Sequence, residues 1–284
     1  MKLAKVKIYT DSTADLSQEL IQKYNISVIP LYVGFGDNTY KDSLEITTSQ
    51  LYDKVKEIGK LPKTSAPSPI DFFNAFKKDI DEGNEIIYIG ISSKLSSTLQ
   101  NAKLAASEFS GSKIEIIDSF NLSTGIGLLV MKAVDYANQG MDVQEISCKI
   151  RGLTPKVETA FVPDTLDYLY MGGRCSALQN IFGNVLKIRP IIKVVEGGMI
   201  VGQKTRGKRK KILDTMLRNA LKDKDNMDTS RVFVTHSLGY QDALYLKKQL
   251  ESSLNVKEVI ITDAGCVISS HCGPNTVGIL YIKK

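Results

Sequence analysis

The sequence predicts an α/β protein of two domains, the first built on a mainly parallel sheet flanked by helices and the second a mixed-sheet α/β unit, with the ligand site at their junction. Three observations carry this. Apolar strand-like runs alternate with helical spacing almost throughout. The 284 residues exceed one ordinary domain and fall short of three. Residues 85–91, an apolar strand, run directly into residues 92–98, where five of seven side chains are hydroxyls. In parallel α/β sheets ligands bind beyond the carboxyl ends of strands, where a helix N-terminus offers unpaired N–H groups to an anion.

Residues 6–10 read as the first strand, and Asp15 with Gln18 three residues later as a capping box opening a helix that runs to Lys23. Residues 27–35 form a second apolar strand. Thr47 with Gln50 opens another helix, closed by Gly59, and Ser68-Pro69-Ile70-Asp71 supplies N-cap, proline at N1 and acid at N3 for a third, ending near Gly83. After the strand at 85–91 come a helix at 99–109, a strand at 113–118, a long, largely buried helix at 122–138 and a helix at 142–153 that Pro155 breaks. The boundary falls between 155 and 165, giving domains 1–160 and 161–284. Beyond it, residues 190–195 and 199–204 flank Gly197-Gly198, a tight-hairpin signal. A basic helix at 208–221, a strand at 231–235, a helix at 240–254 and strands at 258–262 and 276–282 follow.

A hydrophobic share of 43% and a charged share of 24% are those of a soluble globular protein and exclude disorder. Lys and Arg exceed Asp and Glu by 37 to 31, an excess that becomes local only at residues 204–211. One basic cluster without a zinc finger or RNA-recognition signature fits a solvated helix face or an acidic protein partner, so no nucleic acid is expected. No segment reaches membrane-spanning length without charge, and residues 1–8 hold no signal-peptide core, so a cytoplasmic protein with no integral membrane segment is expected. Cys148, Cys175, Cys266 and Cys272 lack paired metal spacing and fit reduced thiols; Cys266, His271 and Cys272 together lack a fourth ligand. Neither metal nor cofactor is expected.

Several motifs fail on inspection. Residues 202–209 miss a phosphate loop at the last position, where Arg209 replaces the Ser or Thr that would hold magnesium. Residues 90–94 lack the second glycine of a hydrolase nucleophile elbow, and His236 reads as a hydrogen-bonded structural histidine. Two segments remain. The hydroxyls at 92–98 come without Arg, Asp or a Gly-rich turn, which suits holding an anion rather than cleaving a bond, although Ser96 or Ser97 equally suits a helix N-cap. Thr64-Ser65-Ala66-Pro67-Ser68 sets hydroxyls in a proline-stiffened turn before a helix start.

The ordered set of residues 11–15 (Asp-Ser-Thr-Ala-Asp), 64–68, 92–98, Asp118-Ser119, 169–174 and His271-Cys272-Gly273-Pro274 resembles the DegV family nearly end to end. The resemblance implies a non-catalytic carrier, the fatty-acid-binding subunit of bacterial fatty acid kinase. Such a subunit buries a long-chain acyl tail and presents the carboxylate to a separate ATP-dependent kinase subunit, which forms an acyl phosphate for phospholipid synthesis. Carried over, Thr64, Ser65, Ser93, Ser96, Ser97 and His271 would bind the carboxylate, and Arg174, Arg206 and His271 would dock the kinase or handle the head group. The chain departs from the family at Lys94 and Ser97, where glycines are common, and at 270–275, a less Gly-rich version. The alternative is an enzyme acting on an acyl or phosphorylated small molecule through the same hydroxyls.

Overall fold

A computed structural model describes residues 5–175 and 189–284. β1 (Val6–Asp11) ends in a 3-10 turn, Ser12–Ala14, and α1 (Gln18–Tyr24) follows. The capping box expected from Asp15 and Gln18 does not form. Ser17 caps α1 through the Leu20 N–H, while Asp15, at φ 50°, closes the 3-10 turn and faces inward. The strand expected over 27–35 is two strands, β2 (Ser27–Ile29) and β3 (Tyr32–Phe35), because Pro30 has no N–H to continue a ladder. β3 starts a small antiparallel sheet with β4 (Asn38–Lys41) and β5 (Lys63–Ser65), in the order β4-β3-β5. α2 (Thr48–Ile58) and α3 (Pro69–Asp81) carry the expected capping boxes at Thr47/Gln50 and Ser68/Asp71.

β6 (Glu85–Gly90), α4 (Thr98–Ser107), β7 (Ile114–Asp118), α5 (Thr124–Asn138) and α6 (Val143–Leu153) complete the first half. Its sheet is parallel throughout, in the order β2-β1-β6-β7. β8 (Val157–Val162) straddles residue 160 and lies wholly in the second sheet. α7 (Asp167–Met171), β9 (Arg189–Val195), β10 (Gly198–Thr205) and α8 (Arg209–Leu221) come next. β11 (Val232–Ser237), α9 (Tyr240–Ser253), β12 (Val259–Asp263), α10 (Cys266–Cys272) and β13 (Thr276–Ile282) finish the chain. The second sheet is mixed, in the order β10-β9-β8-β13-β11-β12, with only the β11–β12 pair parallel among its described neighbours. The β9–β10 turn is Glu196-Gly197, one residue earlier than the glycine pair suggests, and both residues take positive φ as a two-residue turn of this hand demands.

α5 decides how the halves meet. Ten of its 15 residues are buried, spread around the helix, so no face can be given to water. It packs on β1 and β6 on one side and on β8, β11 and β13 on the other. One apolar cluster therefore runs from Ile87 and Ile117 through Leu129 and Met131 to Phe233 and Leu280. α3 and α4 cover the outer face of the first sheet, and α8 and α9 that of the second. No helix of the described residues is long and apolar enough to cross a membrane.

Leu129 is fully buried in this two-sided contact. Leu129→Ala should cost about 2–5 kcal/mol. In urea this is read as a lower unfolding midpoint at unchanged slope.

Candidate functional site

Where the carboxyl ends of β1 and β6 approach the second sheet, a cavity of ≈ 320 Å³ opens, lined by hydroxyls from separate parts of the chain. Thr64 and Ser65 close β5; Ser96 and Ser97 lie in the loop between β6 and α4; Arg174 follows α7; and Val267, Ile268 and His271 come from α10. The loop is held from beneath. Buried Asp11 accepts the Tyr88 hydroxyl at 2.7 Å and the Ile91 N–H at 3.0 Å, and Ser92 donates to the Gly197 carbonyl at 2.8 Å across the domain seam. The N–H groups of Leu95 and Ser96 both bond the Ser92 carbonyl, which curls the loop and turns Ser96 towards the cavity. Ser96 Oγ also accepts the Thr98 N–H at 3.3 Å, whereas Ser97 makes no side-chain cap. Of the two serines expected as a cap, only Ser96 accepts a first-turn N–H, from the position before the N-cap.

His271 Nε2 lies 2.9 Å from Thr64 Oγ1. Its Nδ1 is buried without a hydrogen-bond partner among the described residues, pressed on Gly172, where a Cβ would sit 2.4 Å away. Gly172 thus makes room for the ring. Burial, and then the Arg174 charge, push the imidazole pKa down to about 4, so His271 is neutral at pH 7. A buried unpaired acceptor is more common than a buried unpaired N–H, which favours the tautomer that donates from Nε2 to Thr64. The Thr64 hydroxyl proton is then free to point at a ligand. Arg174 brings a cation to this cavity, which Lys94 of the hydroxyl loop does not line, and its Nη1 donates to the Gly172 carbonyl at 2.9 Å.

Leu122, Met199, Ile268 and His271 line both this cavity and a narrower interior one of ≈ 60 Å³. The interior continues past Phe161, Leu169 and Leu280, and its walls also include Ser123, Thr159, Thr235, Ser237 and Thr276. Each of those hydroxyls is already hydrogen-bonded to another protein group, in most cases one behind the lining. Ser123 donates to Asp15 and Thr159 to Asn121; Thr235 pairs with Thr124 and Thr262; Ser237 pairs with Tyr52 and Ser269; Thr276 donates to the Cys272 carbonyl. Their carbon atoms are what remains for the space, so a wall rich in Ser and Thr behaves as an apolar one. His236 lines it too. Contrary to the hydrogen-bonded role expected, its Nδ1 has no hydrogen-bond partner among the described residues, and Asp263 Oδ1 stands 3.4 Å away.

Ser93 and Arg206 are not brought into the cavity. Ser93 is exposed, with its N–H 3.3 and 3.4 Å from the Asp118 carboxylate oxygens, and Arg206 is exposed between β10 and α8. The neighbouring Arg209 is tied to Asp242 and to the Asn275 carbonyl. A larger groove of ≈ 750 Å³ shares no residue with the hydroxyl cavity, and two of its cations are neutralised: Arg151 by Glu115 and Lys193 by Glu158.

A family model described as "Uncharacterised protein, DegV family" matches residues 5–284. The chain belongs to the DegV family. A "DegV domain-containing protein" of Caldanaerobacter subterraneus is 33% identical over 285 residues, covering 99% of this DegV chain and 100% of its own. A Thermus thermophilus structure described as "Fatty Acid Binding of a DegV family Protein" superposes with a TM-score of 0.92 at 31% identity, covering 99% and 100% of the two chains. A structure from Eubacterium ventriosum described as a stearic acid-binding protein superposes at 0.87 with 27% identity, covering 98% of each.

In this DegV chain the residues that sequence reasoning missed are the wall of the interior. Val267 and His271 stand four apart on α10, a helical signal, but Cys-Val-Ile-Ser-Ser reads by propensity as strand or loop. In the ligand-free protein, NMR titration should find the His271 imidazole charging only near pH 4, and higher in Arg174→Gln. Because the folded value lies below the unfolded 6.5, the unfolded chain takes the proton first, and stability is lost as pH falls from 6.5 towards 4.

Proposed function

We propose that this chain binds one long-chain fatty acid, with the tail in the interior cavity and the carboxylate among Thr64, Ser65, Ser96, Ser97 and His271. The observation that carries the reading is continuity: a hydroxyl-lined mouth and an apolar interior share four lining residues, in a family whose solved members include fatty-acid-binding proteins. About fifteen buried methylenes at about 0.8 kcal/mol each give roughly 12 kcal/mol before association costs. The tail sets affinity, and the hydroxyls orient the head and offset its desolvation. The interior is narrow, so loading displaces the flexible Met199 side chain at the joint between the two cavities.

The same reading makes the chain a carrier rather than an enzyme. Its cargo is handed, carboxylate outward, to a separate ATP-dependent kinase subunit that forms the acyl phosphate. Arg174 and His271 at the mouth, with exposed Arg206 and Ser93 as outlying contacts, support a docking face for that partner. Neutral hydroxyl donors leave the carboxylate more nucleophilic than an Arg clamp would, and Thr64→Arg should therefore bind lipid yet be phosphorylated slowly.

Native mass spectrometry of the purified protein should show the mass of one long-chain acid, released on unfolding. In Thr64→Ala/Ser96→Ala two charge-assisted bonds are lost, and affinity should fall by about 10²–10⁴-fold. An unchanged affinity would move the head group elsewhere. Arg206→Ala should slow phosphorylation by the kinase subunit and leave lipid affinity intact; equal loss of both would count against the docking role.

A further inference from the structure

α10 walls both cavities through Ile268 and His271, yet no side chain of its own caps its start. Its N-cap is Gly265, which has no side chain to bond the first-turn N–H groups. Those groups are taken by two carboxylates from the opposite end of the chain. Asp15 Oδ1 accepts the Gly265 N–H at 2.8 Å and Asp42 Oδ1 the Cys266 N–H at 2.6 Å. Asp15 Oδ2 also accepts the Ser123 hydroxyl at 2.6 Å, and Ser123 is the N-cap of α5, held at φ 53° and ψ −148° in the interior wall. One side chain therefore ties together the starts of the two helices that frame the cavity.

We propose that Asp15 and Asp42 are positioning residues for the head-group site, capping α10 from the N-terminal half and so setting where His271 meets Thr64.

Two further observations agree. Both carboxyls are buried, Asp15 at 5% and Asp42 at 1% exposure. Burial pushes both pKa values up, Asp15 well above the usual carboxylate range with Asp42 and Asp11 adding to the effect. A neutral Ser or Asn would cap the helix without burying charge, so the acids cost stability where they stand. The backbone also meets Asp42 closely: a Cβ on Gly265 would lie 3.1 and 3.2 Å from its two carboxylate oxygens and 2.9 Å from Ser43 Oγ. Gly265, at φ −64°, tolerates alanine conformationally, so Gly265→Ala acts only by pushing this contact apart.

The proposal rests on the fatty-acid reading for its purpose but not for its test. Stearate affinity is measured for Asp42→Leu, Asp42→Asn and Gly265→Ala, each alone and with His271→Ala, and the His271 imidazole NMR signal of the ligand-free protein for each alone. Asp42→Leu and Gly265→Ala should shift the His271 signal and weaken stearate binding about tenfold, the scale of a lost cap. With His271→Ala the further loss should be small, since both changes act through one residue. Asn keeps an acceptor, so Asp42→Asn should restore signal and affinity. An equal loss with and without His271, or an unmoved His271 signal in folded Asp42→Leu or Gly265→Ala, would overturn the proposal. Should Asp42→Leu fail to fold, Gly265→Ala decides alone. If the unaltered protein takes up no stearate, the fatty-acid reading falls, and the His271 signal still decides the positioning.

Discussion

The burial of α5 on both sides is the constraint on which the rest depends. A helix apolar all round is stable in water only between two other layers, and here those layers are the parallel sheet and the mixed one. Closing them on α5 brings the carboxyl ends of β1 and β6 against the β9–β10 turn, where Ser92 bonds Gly197. It also places the start of α5 at the seam, so that Leu122 lines both cavities and Ser123 the inner one. The site exists because a buried helix must begin somewhere, and it begins at the junction.

Polar satisfaction then shapes what that junction holds. In the interior wall every Ser and Thr is hydrogen-bonded to another protein group, mostly one behind the lining, which leaves carbon facing the space. At the mouth the pairing is looser: Thr64 meets a neutral imidazole and Ser96 meets Thr98. Thr235 and Ser237 in the interior each have two hydroxyl partners, and a hydroxyl so doubly paired cannot turn to a ligand without loss. Pairing thus differs between the hydroxyls of the mouth and those of the interior.

Much of this was legible in the sequence. The first sheet, the capping boxes at Thr47 and Ser68, the buried helix at 122–138 and the hydroxyl loop follow from periodicity and cap chemistry, and the family from the order of its motifs. What was not legible depends on contacts far along the chain. β5 is three residues, Lys-Thr-Ser, with no apolar signature, and it is a strand only because Val33 and Tyr32 pair with it. α10 is helical against its propensities because Asp15 and Asp42 cap it. Asp15 looked like a local helix cap, since its spacing to Gln18 fits one; its partners at positions 123 and 265 appear only in the fold. Arg174 reaches the hydroxyls by the same route, as does every residue of the interior wall.

The most direct test of the central claim is a crystal structure of the protein with stearate. The account predicts the carboxylate within hydrogen-bond distance of Thr64 Oγ1 and Ser96 Oγ, and the chain running past Ile268 and Met199 towards Phe161. A carboxylate seated instead beside Lys94 and Arg151 in the larger groove, or a tail lying outside the interior cavity, would contradict it.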